Sequence, residues 1–230
     1  MRPHRSRPRS YGNQARWVQR LAAVLVTIAC LTPFAAAAED KPVKIVVLGD
    51  SLTAGYGLPA DAAFPARLAA ALKARGIAAT VGNAGVSGDT ASGGRDRLDW
   101  SVPEGTDAVI VELGANDALR GLDPALTRKA LDTILRRLKE RRIAVLLAGM
   151  KAPRNMGPDY ARAFDAIYPA LAAEHGVLFY PFFLDGVAAD ATLNLNDGMH
   201  PNAAGVDTIV KGILPKVEEL IARVRAARAQ

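Results

Sequence analysis

Beyond residue 38 the sequence has two histidines, and only His200 stands in a setting suited to proton transfer. Asp197 precedes it by three residues with Gly198 between them, a spacing that can place a carboxylate and an imidazole on one side of a single turn. Asp197 would then accept the Nδ1 proton and leave Nε2 free as a base. The same pair also reads as a structural Asp–His contact in a loop, of a kind that often contributes little at a surface. His175, in Ala173-Glu174-His175-Gly176, has a helix-end pattern instead: a donor side chain near the last carbonyls and a glycine to make the turn.

A base of this kind needs a nucleophile. Ser51 is the candidate, in Gly49-Asp50-Ser51-Leu52, after an apolar run and before the turn residues Thr53-Ala54-Gly55. Serine is equally a favoured helix cap, so residue type alone leaves both readings open. Acyl transfer through a serine also requires donors aimed at the developing oxyanion. Two further segments offer them: Asn83 to Asp89, which contains Gly88, and Gly114-Ala115-Asn116-Asp117, which supplies a side-chain amide. Each has a plain alternative, a positive-φ turn for Gly88 and a helix cap for Asn116-Asp117.

Other chemistries fare worse. Cys30 is the only cysteine, which disfavours a thiol nucleophile, a thiolate metal site and an iron–sulfur cluster. No metal and no cofactor are expected. Neither a P-loop nor G-x-G-x-x-G follows the first apolar run, and the G-x-S-x-G elbow is missing around Ser51.

The elements that must position these residues follow from periodicity. Val43 to Leu48 is a short β-branched run ended by Gly49, and similar runs recur at Ala78 to Val81, Ala108 to Leu113, Ile143 to Leu147 and Val177 to Tyr180. Between them lie helical patterns: Phe64, Leu68 and Leu72 with Asp61 as the expected cap and Pro65 in the first turn; Leu131, Ile134, Leu135 and Leu138; and Tyr160 to Ala173. The chain closes with Val206, Ile209, Val210 and Ile213, then a break at Pro215, then Val217, Leu220, Ile221 and Val224: one or two amphipathic helices. Strand alternating with helix predicts parallel strands with crossover helices on both faces, a three-layer α/β/α sandwich around a mostly parallel sheet. Ligands collect beyond the carboxyl ends of such strands, where all four candidate segments fall.

Taken together, Gly49-Asp50-Ser51-Leu52, Gly88, Gly114-x-Asn116-Asp117 and Asp197-x-x-His200-Pro201 resemble the GDSL or SGNH hydrolases, in particular their bacterial periplasmic thioesterase, lysophospholipase and arylesterase subgroup. The resemblance extends from Gly49 to Asn202. It implies Ser51 as nucleophile, His200 as general base and Asp197 as its orienting carboxylate. It also implies an oxyanion hole of the Ser51 and Gly88 backbone N–H groups and the Asn116 amide. The implied substrates are small-molecule or lipid acyl esters and thioesters. The alternatives are deacetylation of sugars at the same site and a non-catalytic envelope binding role. Leu119, Leu122 and Pro124 are candidate acyl-contacting residues, with Met150, Pro153 and Met156 after the fourth strand as further groove candidates; ordinary packing under loops accounts for them equally well.

The net charge of +6 points elsewhere at first sight. Six arginines and no acid lie in the first 38 residues, and the remainder is balanced at 23 basic and 23 acidic groups, which removes the electrostatic case for a nucleic-acid partner. The Arg-rich start, the uncharged stretch Leu21 to Phe34 and the small residues Ala35 to Ala38 have the three parts of a secretory signal. Cleavage is expected after Ala38, leaving a single exported domain, residues 39–230, without stable membrane insertion; a retained anchor is the alternative. A monomer is compatible with this reading, and oligomeric state is not fixed by it. The basic cluster Arg136, Arg137, Lys139, Arg141 and Arg142 is expected on the solvated side of its helix.

Overall fold

In a computed structural model, Met1 and residues 41–230 are described. The expected leader, its cleavage point and Cys30 lie outside the described residues. The chain enters the sheet through β1 (Val43–Gly49), in which every residue but Lys44 is buried. β3 (Ala108–Glu112) is buried throughout. Such continuous burial is what parallel strands covered on both faces require.

The order is β2 (Ala79–Gly85), β1, β3, β4 (Ala144–Ala148), β5 (Leu178–Tyr180), all parallel. The chain steps outward from β1 to β2, then crosses back to β3 and continues to the other edge. The strand order therefore reverses between β1 and β3, which opens a crevice beyond their carboxyl ends. The register brings those ends level, with Gly49 beside both Gly85 and Glu112.

Helices cover both faces. On one side α2 (Phe64–Ala74) packs with the C-terminal helix α9 (Ala203–Arg228), which also reaches β4 and β5. On the other, α6 (Pro124–Glu140) packs between α3 (Ala91–Asp96) and α8 (Ile167–His175). The fold is the expected three-layer α/β/α sandwich. The predicted faces are buried, among them Leu131, Ile134, Leu135 and Leu138 of α6.

Local expectations needed correction in five places. Strand β2 runs on to Gly85, because its pairing with β1 carries Gly82 and Asn83, which have little strand preference of their own. Asp61 does not cap α2: it lies in a 3₁₀ turn, Ala60–Ala62, and the helix starts at Phe64 after Ala63 with no side-chain cap. The Tyr160 to Ala173 segment is two helices, α7 (Pro158–Asp165) and α8, because Pro169 cannot supply the N–H that would bond the Asp165 carbonyl. Pro215, by contrast, does not interrupt α9. Its ring is on the exposed side, as is Lys211, whose carbonyl loses its partner toward solvent, while buried residues continue on either side. Two of the basic cluster are structural rather than merely solvated: Arg137 binds Asp99, and Arg141 donates to the Val102 carbonyl at 2.5 Å.

Candidate active site

Asp50 and Ser51 lie just past the end of β1. Asp50 caps the four-residue helix α1 (Ser51–Ala54), accepting the Leu52 N–H at 3.0 Å, so the cap role open to Ser51 belongs to its neighbour. The Ser51 Oγ is 3.0 Å from Nε2 of His200, across 149 residues of sequence. His200 Nδ1 in turn lies 2.7 Å from Asp197 Oδ2. The second oxygen of Asp197 accepts the backbone N–H groups of His200 (3.0 Å) and Met199 (2.9 Å). Those backbone bonds, followed by the His200 side chain, hold the Asp197 carboxyl down to about 2, so it is ionised wherever an imidazole can act as a base.

The loop carrying this pair is tied from several sides. Leu195 N–H donates to the His200 carbonyl at 2.7 Å, and Asn202 caps α9 through Gly205 N–H at 3.0 Å. The Tyr56 ring lies against the imidazole with centroids 4.4 Å apart. An alcohol, an imidazole oriented through its far nitrogen and a fixed carboxylate are what nucleophilic acyl transfer requires.

The remaining candidates come from the neighbouring strand ends. Gly88 sits in a turn closed by Asp89 N–H on the Val86 carbonyl (3.1 Å), with φ +85, a conformation that favours glycine. Among the described residues, neither its N–H nor that of Ser51 donates to a protein acceptor. Asn116 lies in α5 (Ala115–Leu119), two residues past Gly114. Its amide nitrogen is 3.1 Å from Asp50 Oδ2 and 2.9 Å from the Asp89 carbonyl. The amide therefore sits between the residue before Ser51 and the residue after Gly88, with both N–H groups already engaged.

Leu119 is exposed at the end of α5, with Leu122 and Pro124 half-buried after it. Met150 is part of the core and lines no groove, while Pro153 and Met156 are half-buried. Tyr56, Val86, Leu119 and Met199 are exposed large apolar side chains, and all four belong to the segments that carry the candidate residues.

Two charged residues at this edge, Arg97 and Glu112, went unnoticed in the sequence. Arg97, 6% exposed, donates to the carbonyls of Gly49 (2.8 Å) and Ala84 (2.7 Å) and pairs with Asp89 at 2.6 Å. Nothing in the run Arg95-Asp96-Arg97 distinguishes it from a surface charge. Glu112 is wholly buried at the end of β3, and burial, helped by the charge of Asp50, pushes its carboxyl well above the usual range. A charged residue closing the apolar run Ala108 to Leu113 was the available signal. Burial also raises Asp50 to about 6, against the pull of its bonds to Leu52 and Asn116 and of nearby His200. Asp117 is structural, accepting Ala91 N–H (2.8 Å) and the Thr127 hydroxyl (2.9 Å).

His175 ends α8 as expected, yet its ring binds Asp132 at 2.8 Å rather than the last carbonyls. Asp132, Glu174 and His175 bring one potential ligand atom each within 4.8 Å of one another, but Arg128 already pairs with Glu174 at 2.5 Å.

Comparison with known proteins points the same way as the geometry. The GDSL-like lipase/acylhydrolase family matches residues 47–207. An arylesterase of Vibrio mimicus is 38% identical over 178 residues, covering 77% of this chain and 87% of the relative. Thioesterase 1/protease 1/lysophospholipase L1 of Escherichia coli strain K12 is 37% identical over 214 residues, 92% of this chain and 97% of the relative. Among solved structures, AlinE4, an SGNH-hydrolase family esterase, is 44% identical with a TM-score of 0.66, covering 78% of this chain and 96% of its own. With a family match spanning most of the described domain, and relatives this similar over most of their length, this chain belongs to the GDSL-like lipase/acylhydrolase family.

Proposed function

We propose that this family hydrolase cleaves carboxylic ester and thioester bonds of acyl substrates through Ser51, His200 and Asp197. The observation that carries the reading is the continuous path from Asp197 to His200 (2.7 Å) to the Ser51 hydroxyl (3.0 Å). His200 Nε2 takes the Ser51 proton as Oγ bonds to the carbonyl carbon, and the carbonyl π pair moves onto oxygen. Asp197 holds Nδ1–H and stabilises the imidazolium. The Ser51 and Gly88 N–H groups receive the oxyanion, and the Asn116 amide joins them by turning one N–H from the Asp89 carbonyl onto it. Its collapse breaks the bond to the leaving oxygen or sulfur, which receives the proton from His200. Water, activated by the same imidazole, then releases the acid and restores Ser51.

The exposed apolar side chains Tyr56, Val86, Leu119 and Met199 around this path suit an acyl chain, with Leu122 and Pro124 continuing from Leu119. The protein acts after export, with residues 1–38 removed. This placement is supported by the charge and hydropathy pattern of that segment, and no helix among the described residues is long and apolar enough to cross a membrane.

The test pairs labelling with turnover. The parent is expected to hydrolyse aryl esters of graded chain length and to gain one phosphonate adduct at Ser51, and folded Ser51→Ala is expected to do neither. A folded parent without adduct or turnover, or a Ser51→Ala variant at the parental rate, overturns the reading.

A further inference from the structure

We infer that Asp50 is a positioning residue, whose carboxylate fixes the aim of the Asn116 amide relative to the Ser51 acyl centre. The inference rests on the role proposed for Asn116 above. One carboxylate spans two segments: Oδ1 accepts from Leu52 N–H in the first turn of the Ser51 helix (3.0 Å), and Oδ2 accepts from Asn116 Nδ2 (3.1 Å). The nucleophile's helix and the amide donor are thereby held to one carboxylate, which bonds Asn116 across 66 residues of sequence.

Helix capping alone does not account for an acid here. Asn and Ser cap as well as Asp does. Asp50 is 0% exposed, and no lysine or arginine among the described residues pairs with it. The charged and titratable groups facing it are Glu112 from β3, Asp117 from α5, Tyr168 from α8 and His200 from the late loop, two of them carboxylic acids. Burying a carboxylate in such company is costly. What the carboxylate does that an amide cannot is accept at both oxygens at once. An amide offers one acceptor and one NH₂, so at position 50 it would face either Leu52 N–H or Asn116 Nδ2 with a second donor. The cost of the charge is explained by that double acceptance, which leaves Asn116 one fixed direction. Its other N–H, on the Asp89 carbonyl at 2.9 Å beside the Gly88 turn, is the one that passes to the oxyanion while Asp50 keeps hold of the first.

The test is a double-mutant cycle on Asp50→Asn and Asn116→Ala, read by kcat, KM and thermal midpoint at pH 8. Misaiming a donor by about 1 Å costs on the order of 10²-fold in rate, so Asp50→Asn is expected to lower kcat by about 10- to 100-fold while KM moves less than about twofold. Removing a buried charge should raise the midpoint at pH 8, which a merely structural acid would not do. In the Asn116→Ala background the same substitution should cost less than about threefold, because the group it aims is gone. Asp50→Ser, which keeps a capping oxygen and strands Asn116, should behave like Asp50→Asn. Asn116→Ala crippled with Asp50→Asn at the parental rate, or equal losses in both backgrounds, overturns the proposal alone. Asn116→Ala at the parental rate overturns the oxyanion role and this proposal with it.

Discussion

Arg97→Met is the substitution whose consequence can be worked most fully from the structure. The guanidinium sits at the junction of α3 and α4 (Leu98–Ser101), and four of its five donors go to Gly49 O, Ala84 O, Ser101 Oγ and Asp89 Oδ2 at 2.6 to 3.0 Å. It thus joins the ends of β1 and β2 to the turn that carries Gly88. Methionine fills the volume but strands the Asp89 carboxylate, one-fifth exposed, and takes a donor from two strand-end carbonyls, of which Gly49 O keeps the Val86 N–H at 3.0 Å. Breaking a buried pair by removing one partner costs about 3–5 kcal/mol, a large share of the ~5–15 kcal/mol typical of a domain. At about 2–4 °C per kcal/mol for a domain of this size, the midpoint should fall by roughly 10 °C. Arg97→Lys keeps the charge, but a compact ammonium cannot reach three directions, so it should recover less than half of the loss. Urea unfolding at pH 8 measures both. A loss under about 1 kcal/mol for methionine, or full recovery by lysine, would show that Arg97 does not brace this edge.

Three further outcomes are expected. Asp197→Asn keeps an oxygen for the Met199 and His200 N–H groups, so the loop should hold, but its NH₂ meets Nδ1 and favours the wrong tautomer; kcat should drop by about 10²–10⁴, and a drop of less than tenfold counts against the orienting role. Gly114→Ala adds a Cβ that overlaps the Tyr168 hydroxyl at a φ of +116; urea unfolding should show a loss of about 2–4 kcal/mol, and a loss under 1 kcal/mol would contradict it. The midpoint of Asp50→Asn should exceed the parent's at pH 8, with the gap closing by about pH 4; a gap independent of pH would refute the burial argument.

The strands and the site residues were legible in the sequence for different reasons. β1 and β3 announce themselves because both faces are covered and all but one position of each, Lys44 and Glu112, is apolar or glycine. Ser51, Asn116, Asp197 and His200 could be picked out because each is a polar residue within two positions of a glycine, after a strand or in a late loop. Three features were not legible. The end of β2 depends on its partner strand, since Gly82 and Asn83 extend only because β1 is beside them. Pro215 stays helical because the carbonyl it orphans faces solvent, and which side of the helix that is depends on tertiary packing. Arg97 is hidden for the same reason: a guanidinium on a short helix reads as surface until the strand ends that surround it are in place.

The two aspartates of the site are shifted in opposite directions, and the environments explain why each can serve its role. Asp197 is one-third exposed and accepts three hydrogen bonds, so its folded value, about 2, lies below the 3.8 of an ordinary aspartate. It adds stability above about pH 4 that is lost as the pH falls toward 2. Asp50 is sealed from water and faces Glu112 and Asp117, so its folded value, about 6, lies above the unfolded one. Below about pH 4 it carries its proton in both states and costs nothing. From there to about pH 6 the unfolded chain gives up the proton while the folded protein retains it, so stability falls, and above that the whole penalty stands. A displacement from 3.8 to about 6 corresponds to about 3 kcal/mol. A fold under selection for stability alone would place an amide or a serine at that position. The carboxylate instead sits where the charge is least welcome and where two donors from separate strand ends need a single acceptor. The excess cost therefore falls on the group proposed to align the oxyanion edge, whereas Asp197, paired with His200, adds to stability.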